Sequence, residues 1–226
     1  MSVCDCWKVL AADSALAADI SSQFLRLMNS TPLLNDDATV PNKDRPRVAA
    51  LLPFAVVSAL REMMLVASMH DLTMAHFPDL FALNLTVLAA YVGVTPPVYS
   101  PGSNKSAFIP NREAYKINPA RVAQESLKNF LLCAGCDAAA EAVLECSQID
   151  LSNSPDYFLA MMPSLTRAIC ENLGHMLPKI LTALGQYSSS PHEAQRAAVT
   201  AFNVECVQMQ CAGQSVLIDS VLSNLL

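Results

Sequence analysis

Pro119-Ala-Arg-Val-Ala-Gln-Glu-Ser-Leu-Lys-Asn-Phe130 and Pro191-His-Glu-Ala-Gln-Arg-Ala-Ala-Val-Thr-Ala-Phe202 are two versions of one pattern, set 72 residues apart. Each opens on a proline, carries small and aliphatic residues at helical spacing, and reaches a phenylalanine eleven places on. Proline suits the first position of a helix, where its missing N–H would have no partner. Asn118 and Ser190 precede the two prolines as N-caps should. Half of the 72-residue offset falls within the unit length of two-helix solenoid repeats. The pattern predicts a stacked helical array, which works as a surface and not as a pocket.

Composition agrees with packed helices. Hydrophobic residues make up 53% of the 226 and charged residues 15%, apolar for a free-standing domain. Either the core is large or apolar edges expect neighbours. The closing run Val216, Leu217, Val221, Leu222, Leu225, Leu226 has no polar cap, whereas a solenoid end needs a polar outer face. A segment of a longer array is therefore expected, with self-association through its apolar ends.

The charge balance excludes one class of partner. Net charge is −6, and the densest basic run, Lys43, Arg45 and Arg47, is offset by Asp36, Asp37 and Asp44. Nucleic-acid binding needs a basic stripe, so none is expected. The start carries Asp5 and no basic region before an apolar core, so no signal peptide is read. The expected location is the cytoplasm, with the nucleus as an alternative, and not secretion. The uncharged stretch from Leu80 to Asn104 loses its apolar character by Val94 and holds Asn84 and Thr86, which reads as a buried helix and not a membrane span. The eight cysteines (Cys4, Cys6, Cys133, Cys136, Cys146, Cys170, Cys206, Cys211) mostly fall on helical patterns and are expected to be free and mostly buried.

Along the chain, Val48 to Ala67 keeps the i, i+3, i+4, i+7 rhythm without a break, with Pro53 inside it as a kink or a division into two helices. Asp71 to Val92 follows, with Pro78 near its start, a turn there that can include His76, and Phe77, Leu80, Phe81, Leu85, Leu88, Tyr91 and Val92 inward. Leu83 and Val87 widen its apolar arc, so both flanks are expected to be covered. Further helices are predicted over Pro119–Leu132, Asp137–Cys146, Pro155–Leu173, Met176–Gln186, Pro191–Met209 and Ser215–Leu226. Upstream, Cys6 to Met28 reads as one or two helices with Leu16, Ile20, Phe24 and Leu27 inward. No run sustains period-two alternation, so the class is all-α: a HEAT/armadillo-like superhelix of antiparallel helix pairs. One array over residues 1–226 is expected, with a polar loop at 29–45 and a proline-rich loop at 93–118. The second loop is either a tolerated insertion or a docking and modification loop. In the latter case Phe108, Ile109 and Tyr115 are its anchors and Ser100, Ser103 and Ser106 its modification sites.

Candidate chemistry is sparse. Cys133-Ala-Gly-Cys136 has the spacing of a redox dithiol, but it stands at a helix–turn–helix junction, where Gly135 fits the C′ position. No second C-x-x-C or H-x-x-x-H completes a zinc site. His70 and His76 are six apart and do not share a helix face; His175 and His192 fall at junctions. Arg61-Glu62 and Arg196 read as charges that tie neighbouring helices together. Met63, Met64, Met69, Met74, Met161 and Met162 read as core filler. No catalytic residue, cofactor or metal is expected.

Several segments in combination resemble the maestro heat-like repeat family: Ser30-Thr-Pro-Leu33, Leu52-Pro-Phe-Ala55, Ala59-Leu-Arg-Glu-Met63 and Asp71-Leu72. So do His76-Phe-Pro-Asp-Leu-Phe81, Tyr91-Val-Gly-Val94, Ser106-Ala-Phe-Ile-Pro110 and Ala194-Gln-Arg-Ala-Ala-Val-Thr-Ala-Phe202. The resemblance covers nearly the whole chain and implies HEAT-type helix pairs and protein binding, in members mostly much longer. The function expected is a non-enzymatic scaffold that binds other proteins. Gln124, Lys128, Glu193 and Gln195 on the two proline-led helices would face the partner. The rivals are a peripheral membrane adaptor and, last, a thiol oxidoreductase using Cys133 and Cys136.

Overall fold

The computed structural model describes residues 3–35, 47–97, 117–145 and 156–209, with the backbone alone at 156–159. Phe108, Ile109, Tyr115, Ser100, Ser103, Ser106, Cys146, Cys211 and the run 215–226 lie outside the described residues.

The first two helices, α1 (Val3–Ala12) and α2 (Ser14–Ser30), are divided by Asp13, whose Oδ1 accepts from the N–H groups of Ala15 and Leu16 at 3.0 Å. This N-cap ends one helix and starts the next. Three short extended pieces then meet: Leu34 bridges Ala49 in antiparallel fashion and Val48 bridges Thr95 in parallel. They are isolated bridges, and no β-strand occurs among the described residues. The bridges take Val48 and Ala49 out of the expected helix, so α3 runs Leu51–Met63. Pro53, read as a kink or a division into two helices, divides nothing: it lies within one helix. Pro53 sits in the first turn of α3, where no N–H is required, and the ladder opens with Phe54 N–H on Ala50 C=O.

A 3₁₀ turn (Ala67–Met69) leads to α4 (His70–Ala75) and α5 (Phe77–Tyr91). The turn read at His76 divides the segment expected over Asp71–Val92 into two helices (His76 φ −110°, ψ 19°), two residues before Pro78 in the first turn of α5. Downstream, α6 (Pro119–Cys133) starts as predicted, with Asn118 Oδ1 accepting from Arg121 N–H at 3.2 Å. It ends in a Schellman motif: Cys136 N–H reaches Leu131 C=O, Gly135 N–H reaches Leu132 C=O, and Gly135 takes φ +74°. Then come α7 (Asp137–Glu145), α8 (Asp156–Leu173), a 3₁₀ turn (Gly174–Met176), α9 (Leu177–Gly185) and α10 (Glu193–Gln208). His175 and His192 do fall at helix junctions. The last helix starts two residues later than Pro191, so Ser190 is not its N-cap; its hydroxyl accepts instead from His192 N–H at 3.1 Å.

Helix α5 organises the packing. Every residue from Leu80 to Tyr91 is buried, including Leu83 and Val87 on its flanks, and its polar residues there, Asn84 and Thr86, return their side-chain donors to its own carbonyls. A helix of this kind must be covered on all sides. Helices α4, α6, α9 and α10 cover it, while α6 also packs on α3 and α7, α7 on α8, and α8 on α10. The fold is all-α and solenoid-like, curled so that α9 and α10 return to a helix far earlier in the chain. Phe77 and Phe81 stack on one another along α5. Phe130 meets Phe77 with centroids 4.9 Å apart, and Phe202 meets Phe81 at 5.4 Å. The two phenylalanines of the repeated pattern therefore converge on neighbouring rings of one helix.

Met63, Met64, Met69, Met161 and Met162 are buried as core filler, and Met74 packs against that core. At α2 the expectation needs correction. Leu16 is 47% exposed, and the buried positions are Ala17, Ser21 and Met28, with Ile20, Phe24 and Leu27 half-buried. Ile20, Phe24 and Leu27 still pack against the core as expected, so only Leu16 is misplaced. Of the described cysteines all are free, yet only Cys136 and Cys206 are fully buried, so burial is less general than expected.

Candidate protein-interaction surface

Helix α6 presents an outer stripe of Arg121, Glu125, Lys128 and Leu132, spaced three and four apart so that they share one face. Lys128 is half-buried on this stripe. Gln124 is not on it. Contrary to its expected exposure it is buried, and its Nε2 donates to Val143 C=O on α7 at 2.9 Å. Position 124 faces α7, and its long amide reaches a backbone carbonyl in the last turn of that helix.

Beside the stripe, charges tie three helices together. The Arg61 guanidinium on α3 holds Glu62 (Nη2–Oε1 2.7 Å, Nε–Oε1 3.1 Å) and reaches Glu125 on α6 (Nη1–Oε2 3.0 Å). Lys8 on α1 approaches Glu62 at 3.5 Å, and Asn129 Nδ2 donates to Arg61 C=O at 2.9 Å. Arg61-Glu62 is thus the inter-helix tie its sequence context suggested. Burial pushes the Glu62 carboxyl up, but the hydrogen bonds and charges of Arg61 and Lys8 outweigh it and hold the group below its ordinary value. Arg196, read the same way, instead turns back on its own segment, with Nη1 donating to Ser190 C=O at 2.6 Å.

At the C-terminal end of the stripe a groove of about 410 Å³ opens between the turn after α3 and the end of α6. Leu65 and Leu132 form apolar rims that are 54% and 45% exposed, with Met64, Val66, Ala67, His70 and Cys133 between them. His70 Nδ1 lies 2.7 Å from Cys133 C=O; a carbonyl only accepts, so Nδ1 carries the proton. The Thr73 hydroxyl donates to Met64 Sδ at 3.4 Å and sits 3.4 Å from Cys133 Sγ, where the thiol can donate in turn. Burial raises the Cys133 pKa and the Thr73 contact offsets this only in part; burial and Asp137 raise that of Cys136. Redox dithiols depend on a lowered thiol pKa. This pair is shifted the other way, and Gly135 between them holds the C′ position of a helix end.

A second cleft, of about 520 Å³, lies where the end of α2 faces the α9–α10 connection over Leu83 and Val87. Gln195 stands in its wall but is only 4% exposed, which corrects the expectation of an open face; its Oε1 accepts from the Ser190 hydroxyl. Glu193 is exposed, as expected. The structure therefore brings Lys128 to the α6 stripe and leaves Glu193 on a different helix. Leu65 and Leu132 escaped the sequence reading, because apolar periodicity does not distinguish a covered position from a rim at the end of the stripe.

No single helix among the described residues is long and apolar enough to cross a membrane. No family model matches the sequence, and no solved structure matches it. Three curated proteins do, all named maestro heat-like repeat-containing protein family member 1. The human protein is 27% identical over 223 residues, the mouse protein 27% over 228 and the cattle protein 26% over 228. The alignments take in 98–99% of this chain, which spans 14% of the length of each relative. Over nearly its whole length, then, the chain is a distant relative of the maestro heat-like repeat family.

Proposed function

We propose that residues 1–226 form one HEAT-type array that binds other proteins and has no catalytic centre, and that the α6 stripe with its apolar groove is where a partner docks. The observation that carries this reading is the pair of solvent-facing leucines, Leu65 and Leu132, on either side of the groove, next to charges on rigid helices. Burying one leucine side chain is worth roughly 1.5–3 kcal/mol, so the pair can anchor an interface while Lys128 supplies a polar rim. Val3 and Val9 on α1, 75% and 59% exposed, support self-association at that end of the array.

Cross-linking followed by identification of captured proteins tests the reading, with Leu132→Asp as the comparison. The unmodified chain should yield a reproducible set of partners, and Leu132→Asp should lower their recovery at least tenfold at unchanged helicity (on the order of 1.4 kcal/mol). No reproducible partner, or equal recovery by the variant, would defeat it. Sedimentation of the intact chain across a concentration series checks self-association.

A further inference from the structure

Ser190 is followed by Pro191 on the turn between α9 and α10. A serine before proline is held extended and presents no N–H at the next position, which suits the substrate cleft of proline-directed protein kinases. The chain has five such Ser/Thr-Pro dipeptides, led by Thr31, Thr95, Ser100, Ser154 and Ser190. Those at Ser100 and Ser154 fall outside the described residues. Thr95 is pinned, its N–H and hydroxyl both on Arg47 C=O and its own C=O accepting from Ala49 N–H. Thr31 caps the C-terminal end of α2, where the helix dipole opposes an anion.

Ser190 differs on each count. Ser189 and Pro191 beside it are exposed, and Ser190 itself is half-exposed. The Arg196 guanidinium is already on the Ser190 backbone oxygen at 2.6 Å, and the Ser190 hydroxyl receives the His192 N–H. Among the described residues, those lining the adjoining cleft include no aspartate or glutamate. We propose that Ser190 is a phosphorylation site, that Arg196 receives the phosphate, and that Gln195 registers the change.

In the transfer, Ser190 Oγ bonds to the γ-phosphorus of ATP, the bond from that phosphorus to the β,γ-bridging oxygen breaks, ADP leaves, and the serine proton passes to the kinase's base. The product has no hydroxyl proton, so the bond that Ser190 now donates to Gln195 Oε1 is lost. Two acceptors then face each other, and the Gln195 carboxamide turns over to present its Nε2 donor. Arg196 swings from the backbone oxygen to the dianion and forms a charge-assisted pair. Glu193 opposes the new charge, but its exposed carboxylate is screened by water.

The test treats the intact folded chain with ATP and a proline-directed kinase, maps the phosphate by mass spectrometry, and compares melting temperatures. Ser190 should be modified, and the phosphorylated chain should melt about 2–4 °C higher. That gain should vanish in Arg196→Gln, which keeps the serine. The proposal is overturned if Ser190 stays unmodified in the folded chain while a peptide covering 186–196 is phosphorylated under the same conditions. It is equally overturned if the modified chain melts at the same temperature or lower. The result is independent of whether any protein docks on the α6 groove.

Discussion

Phe81 on α5 and Phe202 on α10 stand with ring centroids 5.4 Å apart, both rings without exposure to solvent. Their contact closes the array by bringing its last described helix onto a helix near the middle of the chain. Removing a buried phenyl ring leaves a cavity and costs about 3–5 kcal/mol. Phe202→Ala should lose stability of that order in urea unfolding, with Phe202→Leu losing clearly less. Equal losses for the two variants would show that ring volume is not what holds α10 in place.

One residue on from that ring, Asn203 is fully buried, and neither its Oδ1 nor its Nδ2 meets a partner among the described residues. A buried amide in this condition forfeits its hydration without return, at about 1–3 kcal/mol. Leucine fills a similar volume with no polar atom. Asn203→Leu should therefore raise the urea midpoint, by an amount equivalent to about 1–2 kcal/mol. A lower midpoint would mean that the amide contributes more than it costs.

The tie between α1, α3 and α6 makes stability depend on pH. Glu62 titrates lower in the folded chain than in the unfolded one. Its contribution is therefore complete above the unfolded carboxylate value, about pH 4.3, and is lost as pH falls through the folded value. In Arg61→Gln the burial of Glu62 is no longer outweighed, so the variant should be less stable at pH 7, by roughly 1–3 kcal/mol for a partly exposed pair. The difference from the unmodified chain should narrow in unfolding curves taken from pH 6 to pH 3. A gap that stayed constant across that range would remove Glu62 from the account.

Thiol reactivity separates the scaffold reading from its redox rival. Cys133 and Cys136 both have raised pKa values, and Cys136 is 2% exposed, whereas Cys6 is exposed. Among these three, iodoacetamide at pH 7 should label Cys6 first and Cys136 last, with Cys133 still gaining rate with pH above the ordinary thiol value of about 8.5. Reduction of insulin should stay at the background rate in the unmodified chain and in Cys133→Ser alike. Faster labelling of Cys133 than of Cys6 would reopen the dithiol reading.

Much of the architecture was legible because local rules govern it. Asn118 before Pro119 and Gly135 after Cys133 mark the two ends of α6, since caps and positive φ are properties of a few adjacent residues. The complete covering of α5 was legible in Leu83 and Val87, which leave it no polar face. The late start of α10 was not. Proline tolerates both the first helical turn and the residues just before it, and packing decides between them.

The surface was the least legible part. Gln124 and Gln195 read as polar and therefore exposed, yet both are buried: Gln124 donates to a backbone carbonyl on the next helix, and Gln195 accepts from the hydroxyl of Ser190 in the preceding turn. Leu65 and Leu132 carry no sequence signal that marks them as surface, yet they lie on the rims of a groove. The order of helices, their caps and their apolar faces are written in the chain itself, because they follow from backbone geometry and short-range spacing. Which helix covers which was decided by tertiary structure alone: Phe130 and Phe202 share one pattern, but only packing against Phe77 and Phe81 sets their places. Burial depends on neighbours distant in sequence, and side-chain periodicity carries no label for the neighbour.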